Sequence, residues 1–116
     1  MTEHEESCAG RALSLTDLAH ALLVEAKGHH SQRAANTILT GGSLRATVIA
    51  LAEGAELAEH AAPPAATLQV VSGKVELAAG DNRWSVDDGQ VIAIPQARHS
   101  LHAETDAVVL LTVALH

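Results

Sequence analysis

Aromatic side chains are almost missing from this sequence: Trp84 is present, with no Phe and no Tyr. Such a chain has no run of rings on which to stack a base or a sugar, and its core must be built from Leu, Val, Ile and Ala. Cysteine is equally scarce. Cys8 stands alone, so no internal disulfide can form, and a lone thiol in a polar N-terminal stretch suits a reducing compartment. Basic residues number seven against fourteen acidic ones, for a net charge of -7 with histidines neutral. Those seven (Arg11, Lys27, Arg33, Arg45, Lys74, Arg83 and Arg98) are scattered. Phosphate backbones are held by basic patches, so nucleic acid is not an expected partner. No apolar run is long enough to cross a bilayer, and the opening Met1-Thr2-Glu3-His4-Glu5-Glu6 is acidic, without the apolar stretch of a signal peptide. A cytoplasmic protein with no membrane partner is expected.

What remains is aliphatic and strand-like. A length of 116 residues, 47% of them hydrophobic, supports one domain with a real core. Residues 1–12 are acidic and without periodicity, which predicts a disordered tail. Residues 13–30 form a helical arm. Ser14-Leu15-Thr16-Asp17 is a Ser-x-x-acid start signal, Leu15, Leu18, Ala19, Leu22 and Leu23 follow at helical spacing, and Gly28 is a stop. The helix is expected over 15–27, its apolar stripe covering either the rest of its own chain or a partner.

From residue 31 to 116 the period changes. Short Val-, Ile-, Leu- and Thr-rich segments predict strands at 33–39, 44–52, 56–61, 66–72, 74–79, 82–86, 90–94, 98–103 and 107–115. They are separated by Gly41-Gly42, Glu53-Gly54, Pro63-Pro64, Ser72-Gly73, Gly80-Asp81-Asn82 and Asp87-Asp88-Gly89. Many short strands at close spacing predict an all-β antiparallel barrel or sandwich with one N-terminal helix.

Two stretches share a frame of glycine, proline and histidine. Gly54 is followed by five residues, His60, Ala61, Ala62, Pro63-Pro64-Ala65, Ala66, six residues and Gly73; Gly89 is followed by five residues, Pro95, Gln96-Ala97-Arg98 and His99. This resembles the two motifs of the cupin family, over roughly 43–115, and looks closest to small Ala-rich bacterial cupin-domain proteins. The resemblance implies a small jelly-roll β-barrel. It also implies that His60 and His99 stand at metal-ligand positions of the barrel mouth. Ala62 and Ala66 stand where the family has its second His and its Glu, and the turn before His99 is one residue short and lacks a Gly. In the family, three imidazoles and a carboxylate hold a divalent ion such as Zn, Ni, Mn or Fe; two imidazoles alone hold one weakly and unselectively.

A third ligand would have to be recruited. Alternation along a regular strand puts Glu56 and Ala58 on the face of His60, which makes Glu56 the best substitute by parity, although it lies roughly 13 Å along the strand. Gln69 and His102 are the other auxiliary candidates. They face outward if Ala66 and His99 face inward, and need a bulge to help. Glu56 and Glu59 could offer a general base in a dry cleft, or simply solvate a strand end. His29-His30 reads as a surface loop, for no Cys or carboxylate joins it. Ser100 beside His99, with Asp106 nearby, lacks the nucleophile elbow of a hydrolase. Trp84 is a packing residue or covers a pocket edge. Thr67, Gln69 and Val71 share the outer face of one strand, and the cupin resemblance implies a homodimer pairing through such a face.

Three functions stay open on these residues. One is a barrel with few or no metal ligands that binds a small organic acid or hydrophobic metabolite in an aliphatic pocket, oriented by His60 or His99. Another is a metal-dependent enzyme of the dioxygenase or isomerase type using His60, His99 and a recruited ligand. The third is a structural or partner-binding protein in which the site is a relic. No catalytic residue can be named.

Overall fold

The structure is a computed structural model that describes residues 10–115. Cys8 and most of the expected tail lie outside the described residues.

Helix α1 spans Leu15–Gly28. It starts where Ser14 Oγ accepts the Asp17 amide at 3.1 Å, the N-cap that the sequence announces. Nine strands follow: β1 (Arg33–Thr40), β2 (Leu44–Leu51), β3 (Glu56–His60), β4 (Ala66–Ser72), β5 (Lys74–Ala79), β6 (Asn82–Asp87), β7 (Val91–Ala93), β8 (His99–Ala103) and β9 (Ala107–Ala114). They form two antiparallel sheets, ordered β1-β2-β9-β4-β7 and β3-β8-β5-β6. The barrel is therefore closed by side chains meeting between two sheets, the jelly-roll solution to burying one face of each.

Alternation along the strands sorts the core. On the inner face of the first sheet, register stacks three cross-strand rows: Arg45–Val113–Ala66, Thr47–Leu111–Leu68 and Ile49–Val109–Val70. The second sheet answers with the row Leu57–Leu101–Leu77–Trp84. Most of these pack into one cluster, with Leu77 only 1% exposed. Trp84 joins that cluster half-buried and also lines an open hollow, so it does both: it packs and it borders a pocket.

The residues of opposite parity in β2 and β9 are equally apolar, because α1 lies over them. Ala19, Leu22 and Ala26 pack on Ala34, Val48, Ala50 and Val108. The helix stripe thus covers its own chain, each fully buried Leu or Val contributing roughly 1.5–3 kcal/mol. Val71, read from the sequence as part of an open apolar face, is half-buried against this helix cluster. Asp106 fastens the helix end to the sheets: its carboxylate accepts from Lys27 Nζ at 2.9 Å and from the Glu53 amide at 2.8 Å. Across from it, Gly73 turns β4 into β5 with φ +91°, and a Cβ there would overlap the Asp106 carbonyl oxygen and the Cα of Ala107. Only glycine fits both the conformation and the approach.

Candidate functional site

The site begins with an irregularity in β3. Leu57 pairs with Leu101, but the register then slips, and His60 pairs with His99. The slip overturns the parity expected for a regular strand. Leu57 and His60, three positions apart, both line the space between the sheets, and Glu56 goes to the outer face. His60 and His99 meet there edge to face, with ring centroids 4.4 Å apart and planes at 64°. His99 is 4% exposed; His60 is open to solvent.

Both rings are held the same way. His60 Nδ1 lies 2.9 Å from the Ala58 carbonyl oxygen, and His99 Nδ1 lies 2.9 Å from that of Ala97. A carbonyl can only accept, so each Nδ1 donates and each neutral ring keeps its Nε2 lone pair for something else. The pair is thus two oriented acceptors, or ligands, at the barrel mouth.

Below the pair the barrel is full. The space among Ile49, Leu57, Leu68, Leu77, Leu101 and Leu111 amounts to about 20 Å³. That is room for about one water, far below the ~150 Å³ apolar cavity that takes up a benzene. An aliphatic pocket deep in the barrel, as expected from the sequence, is not there. The usable hollow lies to one side of the mouth, a groove of about 370 Å³ lined by Arg45, His60, Ala62, Pro63, Pro64 and Leu111 among others. A wider hollow of about 560 Å³ beside Arg83, Trp84 and Gln90 is more open and holds no histidine. The mouth groove is the better site because the oriented imidazole is in it.

Arg45 is the residue that sequence reasoning missed. It looked like one more scattered cation, yet it sits at the mouth end of the inner-face rows, opposite Val113. Lys27, Lys74, Arg83 and Arg98 each have a carboxylate partner, and Arg33 donates to the Glu56 carbonyl oxygen. Arg45 has no hydrogen bond or ion pair to any described residue. Strand parity with Ile49 and Leu51 was the available signal.

The auxiliary candidates do not reach the pair. Glu56 Oε2 stands 4.0 Å from His102 Nδ1 on the outer face of the β3–β8 ladder, and Gln69 is exposed on the outer face of β4. Glu59 pairs with Arg98 at 3.2 Å. His29 and His30 stack on each other after the helix, with His29 Nδ1 2.7 Å from Ser31 Oγ. Asp106 is engaged by Lys27 and Glu53, not by Ser100. Among the described residues no group of three or more His, Cys, Asp or Glu side chains could hold a metal ion. Two imidazoles, with methyl groups at Ala62 and Ala66, do not fit the four-ligand ion that the family resemblance implies.

No family model and no curated protein matches the sequence. Solved structures do match its fold. A conserved protein of unknown function from Streptococcus pyogenes is 24% identical with a TM-score of 0.70, over 90% of this chain and 87% of that one. A cupin superfamily protein from Desulfitobacterium hafniense is 14% identical with a TM-score of 0.76, over 92% and 93% of the two chains. An RmlC-like cupin from Desulfovibrio desulfuricans is 20% identical with a TM-score of 0.64, over 99% and 97%. At identities this low the likeness shows architecture alone: this chain has the fold of a small cupin.

Proposed function

We propose that the protein binds a small organic molecule at the barrel mouth, in the groove beside His60 rather than between the sheets, with the histidine pair orienting it. The observation that carries this reading is His60: its Nδ1 is anchored to the Ala58 carbonyl oxygen, which leaves Nε2 free, and its ring lines a hollow of about 370 Å³ with His99 edge to face against it. That volume lies within the ~300–1,000 Å³ typical of ligand sites. The filled barrel below argues for a ligand held at the surface. The donor set favours polar recognition over a resident ion, because two imidazoles alone select a metal poorly.

The test is a ligand screen by thermal shift and NMR on the intact protein and on the His60→Ala/His99→Ala double variant, alongside elemental analysis of tag-free material. A ligand whose shifts map to β3, β8 and the Pro63-Pro64 loop, and which the double variant no longer binds, is the expected result. One transition metal (Zn, Ni, Mn or Fe) per chain, absent from the double variant, would replace this reading with the metal-dependent one. The same reading takes the protein as a homodimer in the cytoplasm. Sedimentation velocity at two concentrations tests the association.

A further inference from the structure

Arg45 stands in a groove whose other walls, His60 apart, are apolar residues such as Leu111, Val113, Leu115, Pro63 and Pro64. The wall opposite is fixed, because Gln96 Nε2 donates to the Pro63 carbonyl oxygen at 3.1 Å. Within the inner-face row the guanidinium has Val113 as its neighbour and Ala66 one strand beyond, so no side-chain carboxylate of that row neutralises it. In a chain with fourteen acidic residues, the other lysines and arginines at comparable exposed positions have found partners.

We infer that the ligand of the mouth groove is a monocarboxylate with an aliphatic body, its carboxylate paired with the Arg45 guanidinium and its chain lying on the Pro63-Pro64 and Leu111–Leu115 walls. The inference rests on the reading of the mouth as a small-molecule site and names the class of ligand. A planar guanidinium fork matches a planar carboxylate with two parallel hydrogen bonds. A phosphate dianion would ask for more than one cation, and the groove supplies one. His60, whose Nε2 is free, faces the same groove and adds an acceptor for a hydroxyl elsewhere on the ligand. The apolar walls add affinity in proportion to the carbon surface they cover. The barrel beneath cannot admit a long chain, so the body runs along the groove.

The test uses straight-chain carboxylates from propanoate to octanoate and their primary amides, titrated into the whole protein and followed by backbone amide shifts. The carboxylates are expected to shift residues of β2, β9 and the Pro63-Pro64 loop, and to bind about tenfold more tightly than the matching amides, as a charge-assisted pair implies. Arg45→Gln should erase that preference, and Arg45→Lys should restore only part of it, since the charge returns without the fork. Both substitutions fall on an exposed side chain, so an unchanged melting temperature confirms that the variants fold. Equal binding of acids and amides, or a carboxylate preference that survives Arg45→Gln, overturns the inference while leaving the mouth site in place. No shift with either series at tens of millimolar also overturns it, and the His60→Ala/His99→Ala screen then decides the site independently.

Discussion

Leu77 offers the sharpest test of how the barrel is filled. It lies 1% exposed at the centre of the four-stranded sheet, between Leu101 and Trp84 in one cross-strand row. Leu77→Ala removes three carbons, worth about 2.4 kcal/mol at ~0.8 kcal/mol per buried group. To this comes a cavity contribution, because β5 is hydrogen-bonded on both sides and cannot move in to close the gap. The vacated volume also joins the void of about 20 Å³ under the histidines. A total of about 3–4 kcal/mol follows, inside the ~2.7–5 kcal/mol range of such deletions. Melting entropy of ~2.1 cal/mol/K per residue gives ~0.24 kcal/mol/K for the whole chain, so the midpoint should fall by about 12–16 °C. Urea unfolding followed by circular dichroism measures the loss, and Trp84, the one fluorophore, gives a second probe of the same row. Val24→Ala, on the solvent side of α1, is the control and should stay within ~0.5 kcal/mol of the parent. A loss for Leu77→Ala under ~1.5 kcal/mol with an unchanged urea slope would refute the picture of a close-packed interior.

Two further outcomes follow from the loops. Gly73→Ala should cost at least about 2 kcal/mol, combining a left-handed backbone with an overlap against Asp106 and Ala107; urea unfolding reads it, and a stability equal to the parent's would refute the close approach. The Lys27 hydrogen bond, then the Glu53 amide, hold the Asp106 carboxyl below its ordinary range, while the Asp106 hydrogen bond and charge hold Lys27 above its own. Asp106 therefore stabilises the fold above about pH 4 and loses that contribution as pH falls through its depressed value, and Lys27 loses its own only as pH climbs beyond about 10.4. Asp106→Asn, which keeps an oxygen for the Glu53 amide, should melt below the parent at pH 7, with the gap closing as pH falls through the depressed Asp106 value; a pH-independent gap would assign the loss to packing instead.

Much of the architecture was legible because its signals are local. Ser14 caps the helix and Gly28, expected just past its end, is its last residue, with His29 as the C-cap; Gly54, Gly73 and Gly89 mark turns of positive φ, and the alternation of β4 reads directly as Leu68 and Val70 in, Thr67 and Gln69 out. The cupin resemblance rested on that same frame and led to His60 and His99 as neighbours, which they are. What stayed hidden depends on register. The slip between Leu57 and His60 reverses the parity on which Glu56 was chosen, and nothing in Glu56–His60 as a string announces it. Arg45 acquires meaning only when β2 is laid beside β9 and β4. Whether a barrel is hollow depends on how far apart two sheets settle, which composition does not state.

The anchoring of the two imidazoles has an evolutionary consequence. Because each ring is hydrogen-bonded to the carbonyl two residues before it on its own chain, no polar side chain is needed to aim it. Residues around the mouth can therefore be exchanged one at a time, methyl for carboxylate or apolar for basic, without scattering the two nitrogens. A mouth so arranged can take up new chemistry in single mutational steps.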